Sequence, residues 1–199
     1  MIIYSILLKI YMILAIVGMP GSGKSVVAEY LEKEGLEFIK FGRIILDGVK
    51  ERGLKPTEEN EKKVREDLRR KYGMGACAVL SIPKINKLLK KGDVVIDGVY
   101  SWEEYLELRK EYRDKLVVIA IYAPPKVRYE RLTERQSDYP DVGDRIFDID
   151  TVKKRDHAEI ENINKGGPIA MADYTILNLG TKKDLLKEVD RVLEEATKK

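Results

Sequence analysis

Glycines, a lysine and a serine near the start of the chain have the spacing of a phosphate-binding loop. Gly18 precedes Gly23-Lys24-Ser25 by four intervening residues, after an apolar run and before a helical pattern. This strand, loop and helix context is the one that the motif needs. Glycines let backbone N–H groups face phosphate oxygens, the lysine brings a charge to the β- and γ-phosphates, and the serine offers a hydroxyl to Mg²⁺. We therefore expect ATP and Mg²⁺ to bind here, in contact with Gly18, Met19, Pro20, Gly21, Ser22, Gly23, Lys24, Ser25 and Val26.

A carboxylate ends a second predicted strand. The run Val94-Val95-Ile96-Asp97-Gly98 is compact and β-branched, which is typical of a strand buried on both faces. If this strand lies parallel to the one before the loop, Asp97 reaches the phosphate loop at the carboxyl edge of the sheet. It would then hold Mg²⁺ or its water together with Ser25. The alternative is a turn-forming aspartate before Gly98.

Arginines flank a segment that contains Pro140, Gly143 and many aspartates. Arginines four residues apart precede it on one helical face, and another lies on the helix that follows. Phosphoryl transfer needs positive charge over the moving group and the exclusion of water, so we expect 131–155 to form a lid. Each arginine could instead be a solvated surface charge. The predicted catalytic residues are Lys24, Asp97, Arg131, Arg135 and Arg155.

Hydrophobic patterning predicts five strands that alternate with helices. The strands are expected at 12–17, 36–41, 93–98, 116–122 and 174–178. This order predicts an α/β fold with a mainly parallel sheet, helices on both faces and ligands at the carboxyl ends of the strands. We expect one domain over 1–199, with 42–91 as a helical insert that binds the acceptor. Its arginines at 43, 52, 65, 69 and 70 could bind an anion, although the alternating charges also describe an exposed helix.

Composition excludes several classes of protein. One cysteine and one histidine in 199 residues rule out a disulfide framework and a Cys/His metal cage, and favour a reducing cytoplasm. A net charge of +3 gives no reason to expect a nucleic-acid partner. The apolar run at 1–17 is short and is interrupted by Lys9, so we expect no membrane span. Residues 1–11 precede the first core strand, as a non-native extension or an accessory strand.

The pattern as a whole resembles the nucleoside-monophosphate-kinase-like P-loop kinases, and among them an archaeal family described as related to dephospho-coenzyme A kinase. Beyond the loop, the resemblance rests on Ile96-Asp97-Gly98, on Arg131 and Arg135 with Asp138, and on the segment 172–181. That last segment is similar to the strand and turn that hold the adenine ring in dephospho-coenzyme A kinases, which implies nucleotide contacts from Asn178 and Gly180.

The start of the insert departs from the resembled family. Many of these kinases carry Gly-Asp and then Arg three residues later, whereas this chain has Arg43 and Leu46 at those positions. A hydroxyl acceptor would need a carboxylate base, for which Asp47 or Asp97 is available, while a phosphate acceptor needs none.

Two functions follow from these patterns. The first is a kinase that moves the γ-phosphate of ATP to a small nucleotide-like acceptor, such as a nucleoside monophosphate or dephospho-coenzyme A. The alternative is an ATP-binding switch or an RNA-associated NTPase with no small-molecule acceptor.

Overall fold

A five-stranded sheet forms the centre of the protein, whose computed structural model describes residues 11–134 and 148–198. The strands are β1 (Ile13–Val17), β2 (Glu37–Lys40), β3 (Val94–Asp97), β4 (Leu116–Tyr122) and β5 (Tyr174–Leu177). They are arranged in the order β2-β3-β1-β4-β5, and every pairing is parallel. The predicted α/β fold with a five-stranded sheet is confirmed.

Helices cover both faces of this sheet. They are α1 (Lys24–Lys33), α2 (Gly42–Glu51), α3 (Glu58–Tyr72), α4 (Ala76–Leu88), α5 (Trp102–Tyr112), α6 (Pro125–Glu134), α7 (Ile149–Ile163), α8 (Gly166–Ala170) and α9 (Lys182–Ala196). Alternate residues of β1 point to opposite faces, so Ala15 packs toward α4 and α5 while Leu14 packs toward α1 and α9. None of the helices in the described ranges is long and apolar enough to cross a membrane.

The insert at 42–91 consists of α2, α3 and α4, and its breaks lie where the glycines and Pro56 predict them. A small cluster of Ile45, Val49 and Val64 holds α2 against α3, while α4 contributes Ala78 and Ile85 to the main core. The insert is therefore one helical unit fixed to the sheet through α4.

Helix α7 ends directly before Asn164, which adopts a left-handed conformation with φ of 51°, and the short helix α8 begins at Gly166. Met12 is anchored through its backbone N–H, which donates to Asp93 Oδ1 at 2.8 Å. Residues 1–10 lie outside the described ranges, so their assignment as an extension stays a prediction.

Two helices begin with a capping box. At the start of α5, the Glu104 N–H donates to Ser101 Oγ at 3.0 Å, and the Glu104 carboxylate accepts from the backbone N–H groups of Ser101 at 3.3 Å and Tyr100 at 2.7 Å. Thr181 and Asp184 cap α9 in the same way. Glu104 is buried, and this burial raises its pKa to about 7 despite the backbone donors.

Replacing Glu104 by glutamine is expected to stabilise the protein more at pH 8 than at pH 5. Between 4.5, the ordinary pKa of glutamate, and about 7, the folded protein holds a proton that the unfolded chain has released. Stability from this group is therefore lost as pH rises through that window. Glutamine keeps the accepting oxygen without the charge. We expect its Tm advantage to grow by about 3 °C or more from pH 5 to pH 8 in thermal unfolding.

Glu111, on the exposed side of the same helix, supplies the control for this experiment. Its glutamine variant should differ from the wild type by the same small amount at both values of pH. A Tm difference for Glu104→Gln that does not change with pH would contradict the prediction.

Candidate functional site

The phosphate loop joins β1 to α1, and distant segments of the chain pack closely against its glycines. Gly23 has φ of 105°, and a Cβ there would lie 2.4 Å from Asn178 Nδ2. Gly18 has φ of 148°, and a Cβ would lie 2.4 Å from the carbonyl oxygen of Ile121. Because both positions combine a positive φ with a contact too short for any side chain, only glycine fits them. Because neither position carries a side chain, the backbone N–H groups of the loop can face a ligand.

Lys24, the first residue of α1, bonds to no carboxylate in the described part of the chain. Its Nζ donates to the carbonyl oxygen of Met19 at 2.9 Å. Burial and then the nearby charge of Lys165 lower the pKa of Lys24 to about 7, while Asp97 and Glu159 oppose the shift. An anion beside Lys24 would favour its ammonium form, so this position is suited to binding a phosphate.

Asp97 lies at the same edge of the sheet. It ends β3 and faces Ile16 of β1 in the parallel register, two residues before the phosphate loop begins at Gly18. Its side chain is buried, and Lys40 Nζ lies 3.9 Å from its Oδ2. Burial raises the pKa of Asp97, whereas the charges of Lys40 and Lys24 lower it. The strand order therefore brings the two predicted phosphate-site residues Lys24 and Asp97 together.

The oxygen atoms at this edge fit a magnesium ion that is bound mainly through a nucleotide. In the described part of the chain, no group of three or more His, Cys, Asp or Glu side chains could hold a metal. Ser25 and Asp97 offer one hydroxyl and one carboxylate. Mg²⁺ in nucleotide sites typically uses one or two protein groups and completes its octahedron with phosphate oxygens and water, so these two residues suit that role.

A pocket of about 250 Å³ opens on the other side of the loop. Arg131 Nη2 donates to the Asn178 carbonyl oxygen at 3.1 Å, and Asn178 Nδ2 donates to the Ser22 carbonyl oxygen at 2.8 Å. The Nη1 atom of Arg131 is buried and has no hydrogen-bond partner among the described residues. The lining residues are Gly21, Gly23, Val26, Arg131, Asn178, Gly180, Lys182 and Leu185.

Arg155 lies on α7, and its Nε donates to Glu159 Oε1 at 3.1 Å. Its side chain is about half exposed, and its charge lowers the pKa of Lys24, so it belongs to the surroundings of the loop. Arg135 and the segment 135–147 lie outside the described residues. The roles of the lid over 131–155 and of its arginines stay predictions.

A buried ion pair behind the loop has no counterpart in the sequence analysis. Arg128 donates to both carboxylate oxygens of Asp156, at 2.9 and 2.5 Å, and to the carbonyl oxygens of Pro20 and Ala123 at 2.9 and 3.0 Å. It thereby ties α6, α7 and the phosphate loop together. Arg128 lies three residues before Arg131 on the same helix, which is the one signal in the sequence that could have singled it out.

A second group of residues missed by sequence reasoning lies near Lys24. Lys165, which follows α7, forms an ion pair with Glu159 and lies over the ring of Tyr100. Glu159 and Lys165 are six residues apart, but no local pattern in the sequence brings them to Tyr100, which is distant in the chain.

The fold and the site define a P-loop protein of the kinase-like class: a parallel sheet, a glycine loop between β1 and α1, and a strand-end aspartate beside it. The chain belongs to the UPF0200 family, and the family model described as an AAA domain matches residues 14–159. It is 38% identical over 187 residues to the UPF0200 protein PH1008 of Pyrococcus horikoshii, covering 92% of this chain and 97% of that protein.

Solved structures with the same fold include small-molecule kinases. TT1252 from Thermus thermophilus has a TM-score of 0.60 at 19% identity, covering 94% of this chain and 98% of that one. Shikimate kinase from Acinetobacter baumannii has a TM-score of 0.54 at 19% identity, covering 93% and 94%. These likenesses concern the fold alone. A relationship to dephospho-coenzyme A kinase in particular stays a prediction.

Proposed function

We propose that this protein is a cytoplasmic kinase that transfers the γ-phosphate of ATP, with Mg²⁺, to a small nucleotide-like acceptor. The observation that carries the proposal is the meeting of Lys24 and Asp97 at the carboxyl edge of the sheet. Each is a charged group held out of water at an energetic cost. The phosphates of a nucleoside triphosphate would supply negative charge to Lys24, and its metal ion would add positive charge beside Asp97.

We expect the nucleotide to bind with its phosphates on the loop and its nucleoside in the neighbouring pocket. Backbone N–H groups of 18–25 would bind its phosphates, and Lys24 would offset charge on the β- and γ-phosphates. The contacts among Arg131, Asn178 and the loop support placing the nucleoside in the pocket beside Gly180. Bound Mg²⁺ would be held by Ser25 and Asp97 and would neutralise charge on the phosphate oxygens.

Transfer itself moves one phosphoryl group. The bond between the γ-phosphorus and the oxygen bridging to the β-phosphate breaks, and a bond from the acceptor oxygen to the γ-phosphorus forms. Charge is then spread over the equatorial oxygens. Lys24 and Arg155 would offset this charge, and closure of 131–155, bringing Arg135, would keep water from replacing the acceptor.

The acceptor is expected on the side of the helical insert. Most insert arginines are committed to ion pairs with neighbouring carboxylates: Arg43 with Asp47, Arg52 and Arg70 with Asp67, and Arg65 with Glu58. Arg69 makes no ion pair within the described ranges, and its charge reaches Glu104, which caps the backbone after Asp97. We propose Arg69 as the insert residue that contacts an anionic group of the acceptor.

The chemistry of the acceptor atom depends on Asp97. Asp47 is engaged with Arg43 on an exposed face of α2, so Asp97 is the better placed of the two carboxylates to take a proton from a hydroxyl. If Asp97 is occupied with Mg²⁺, an acceptor phosphate is favoured, because it needs no base.

Incubation with a panel of acceptors tests this function. The panel contains nucleoside monophosphates and dephospho-coenzyme A, each with ATP and Mg²⁺. A kinase should hydrolyse ATP slowly alone, and one acceptor should raise ADP release by about 10²-fold or more with formation of the phosphorylated acceptor. ATP turnover that no member of the panel changes would contradict the proposal and favour a nucleotide switch or an RNA-associated NTPase.

A further inference from the structure

Lys165 is a lysine with its side chain almost fully buried, at 2% exposure. Its Nζ lies 4.7 Å from the centre of the Tyr100 ring and pairs with the carboxylate of Glu159. Burial lowers the pKa of Lys165, and Glu159 acts in the opposite direction. Removing an ammonium group from water costs several kcal/mol unless it is well paired, so its position calls for an explanation.

The surroundings of Lys165 belong to the phosphate site. The Tyr100 ring packs against Gly98, where a Cβ would lie 2.9 Å from Tyr100 Cε2, and Gly98 directly follows Asp97. Among the neighbouring charges that shift the pKa of Lys24, the charge of Lys165 has a larger effect than that of Asp97. The ammonium group of Lys165 therefore lies at the same edge of the sheet as the loop lysine.

Among the described residues of this group, the cations outnumber the carboxylates. Glu159 accepts from Arg155 Nε at 3.1 Å and pairs with Lys165 as well. Lys40 Nζ lies 3.9 Å from Asp97 Oδ2, and the Lys24 ammonium group donates to the Met19 carbonyl oxygen. The four cations Lys24, Lys40, Arg155 and Lys165 thus share the two carboxylates of Asp97 and Glu159, an arrangement suited to a polyanion.

We propose that Lys165 is a second phosphate-binding lysine, which contacts the terminal phosphate of ATP together with Lys24, and that Glu159 is the counterion which this phosphate replaces. The inference rests on the proposed function and adds to it a residue outside the phosphate loop and the arginines. The Lys165 ammonium group lies over the Tyr100 ring, and this cation–π contact positions it before the nucleotide arrives. No proton or electron changes place in this exchange of ionic partners.

Binding of ATP and ADP, measured by titration calorimetry with Mg²⁺, tests the proposal. Lys165→Met keeps an unbranched apolar chain on the Tyr100 ring and removes the charge. We expect it to weaken ATP binding by about 10-fold or more and ADP binding by about 2-fold at most, since ADP lacks the terminal phosphate. Glu159→Gln should act in the opposite direction and tighten ATP binding by about 2-fold to 10-fold.

The opposite directions separate this role from a purely structural ion pair. If Lys165 and Glu159 only hold α7 to the strand ends, both variants should lower Tm and change ATP affinity in the same direction, or leave it unchanged. If Lys165→Met does not fold, Glu159→Gln decides alone, because equal or weaker ATP binding overturns the proposal. Lys110→Met, on an exposed face of α5, is the matched control and should bind both nucleotides as the wild type does.

A third variant distinguishes the failure of this inference from failure of the proposed function. Lys24→Met should weaken ATP binding if the loop binds nucleotide at all. Wild-type protein that binds no ATP, or an unchanged affinity in Lys24→Met, would overturn the proposed function. Loss of affinity in Lys24→Met with unchanged affinity in Lys165→Met would overturn the present inference alone.

Discussion

Replacing Lys24 by methionine is expected to reduce phosphoryl transfer by about 10³-fold or more, a loss at the upper end of that seen when one donor to a transition-state charge is removed. Within residues 11–134 and 148–198, the side chain bonds to the Met19 carbonyl oxygen and to no carboxylate, so little of its function lies in holding the fold. Its charge is instead available for the phosphates of a nucleotide. The measurement is the rate of ADP release with ATP, Mg²⁺ and the best acceptor.

The same substitution should leave Tm unchanged or raise it. Burial and the charge of Lys165 both disfavour the ammonium form of Lys24 and hold its pKa at about 7. Removing the charge therefore removes an unfavourable contribution to the free energy of the folded state. Lys33, exposed at the end of the same helix, provides the control, and Lys33→Met should turn over normally. Wild-type turnover in Lys24→Met would refute the assignment of the phosphate loop.

Replacing Asp156 by asparagine is expected to destabilise the protein by about 3–5 kcal/mol, because it leaves the charge of Arg128 buried and unpaired. For a domain of this size, such a loss corresponds to a fall in Tm of about 6–20 °C. Both side chains are at most 5% exposed, so water cannot take the place of the lost partner. Thermal unfolding followed by circular dichroism measures the effect.

Arg128→Lys should also be clearly destabilised although it keeps the charge. The guanidinium donates to two carboxylate oxygens and to two carbonyl oxygens, one of them that of Pro20 in the phosphate loop. A lysine ammonium cannot reproduce this planar set of donors. Because Pro20 loses a fixed contact, ATP affinity should fall together with Tm.

The exposed pairs of Arg191 with Glu188 and Glu195 on α9 give the comparison for this experiment. Exposed pairs of this kind contribute little, and Arg191→Met should shift Tm by about 2 °C at most. A shift of the same small size in Asp156→Asn would show that the Arg128 ion pair does not stabilise the fold.

Features with a local physical cause could be predicted from the sequence. The spacing of Gly18, Gly23 and Lys24 identifies the phosphate loop, since the conformation of that loop depends on residues close together in the chain. The capping boxes at Ser101 and Thr181 need partners three residues away, and both are present. The five strands were predictable for the same reason, because apolar runs of four to seven residues between turn signals have few other uses.

The order of the strands and the contacts between distant residues were decided by the tertiary structure. Placing β3 between β2 and β1 brings Asp97 to the loop, a position that the sequence supported only as one of two interpretations. Arg128 and Pro20 are 108 residues apart in the chain, and Asn178 and Ser22 are 156 residues apart. No local pattern records such pairs.

Charged residues show most clearly what could not be predicted from the sequence alone. Arg155, Glu159 and Lys165 each follow the pattern of an ordinary solvated helix or turn, because a charged residue looks the same in sequence whether it is exposed or buried. Packing against Tyr100 buries Lys165, and only this burial, together with the neighbouring charge of Lys24, distinguishes it from a surface lysine. The sequence by itself determined the class of ligand through the phosphate loop. Which charges surround that ligand was decided by the folding of separate segments onto one edge of the sheet, since charge interactions depend on distance in space rather than along the chain.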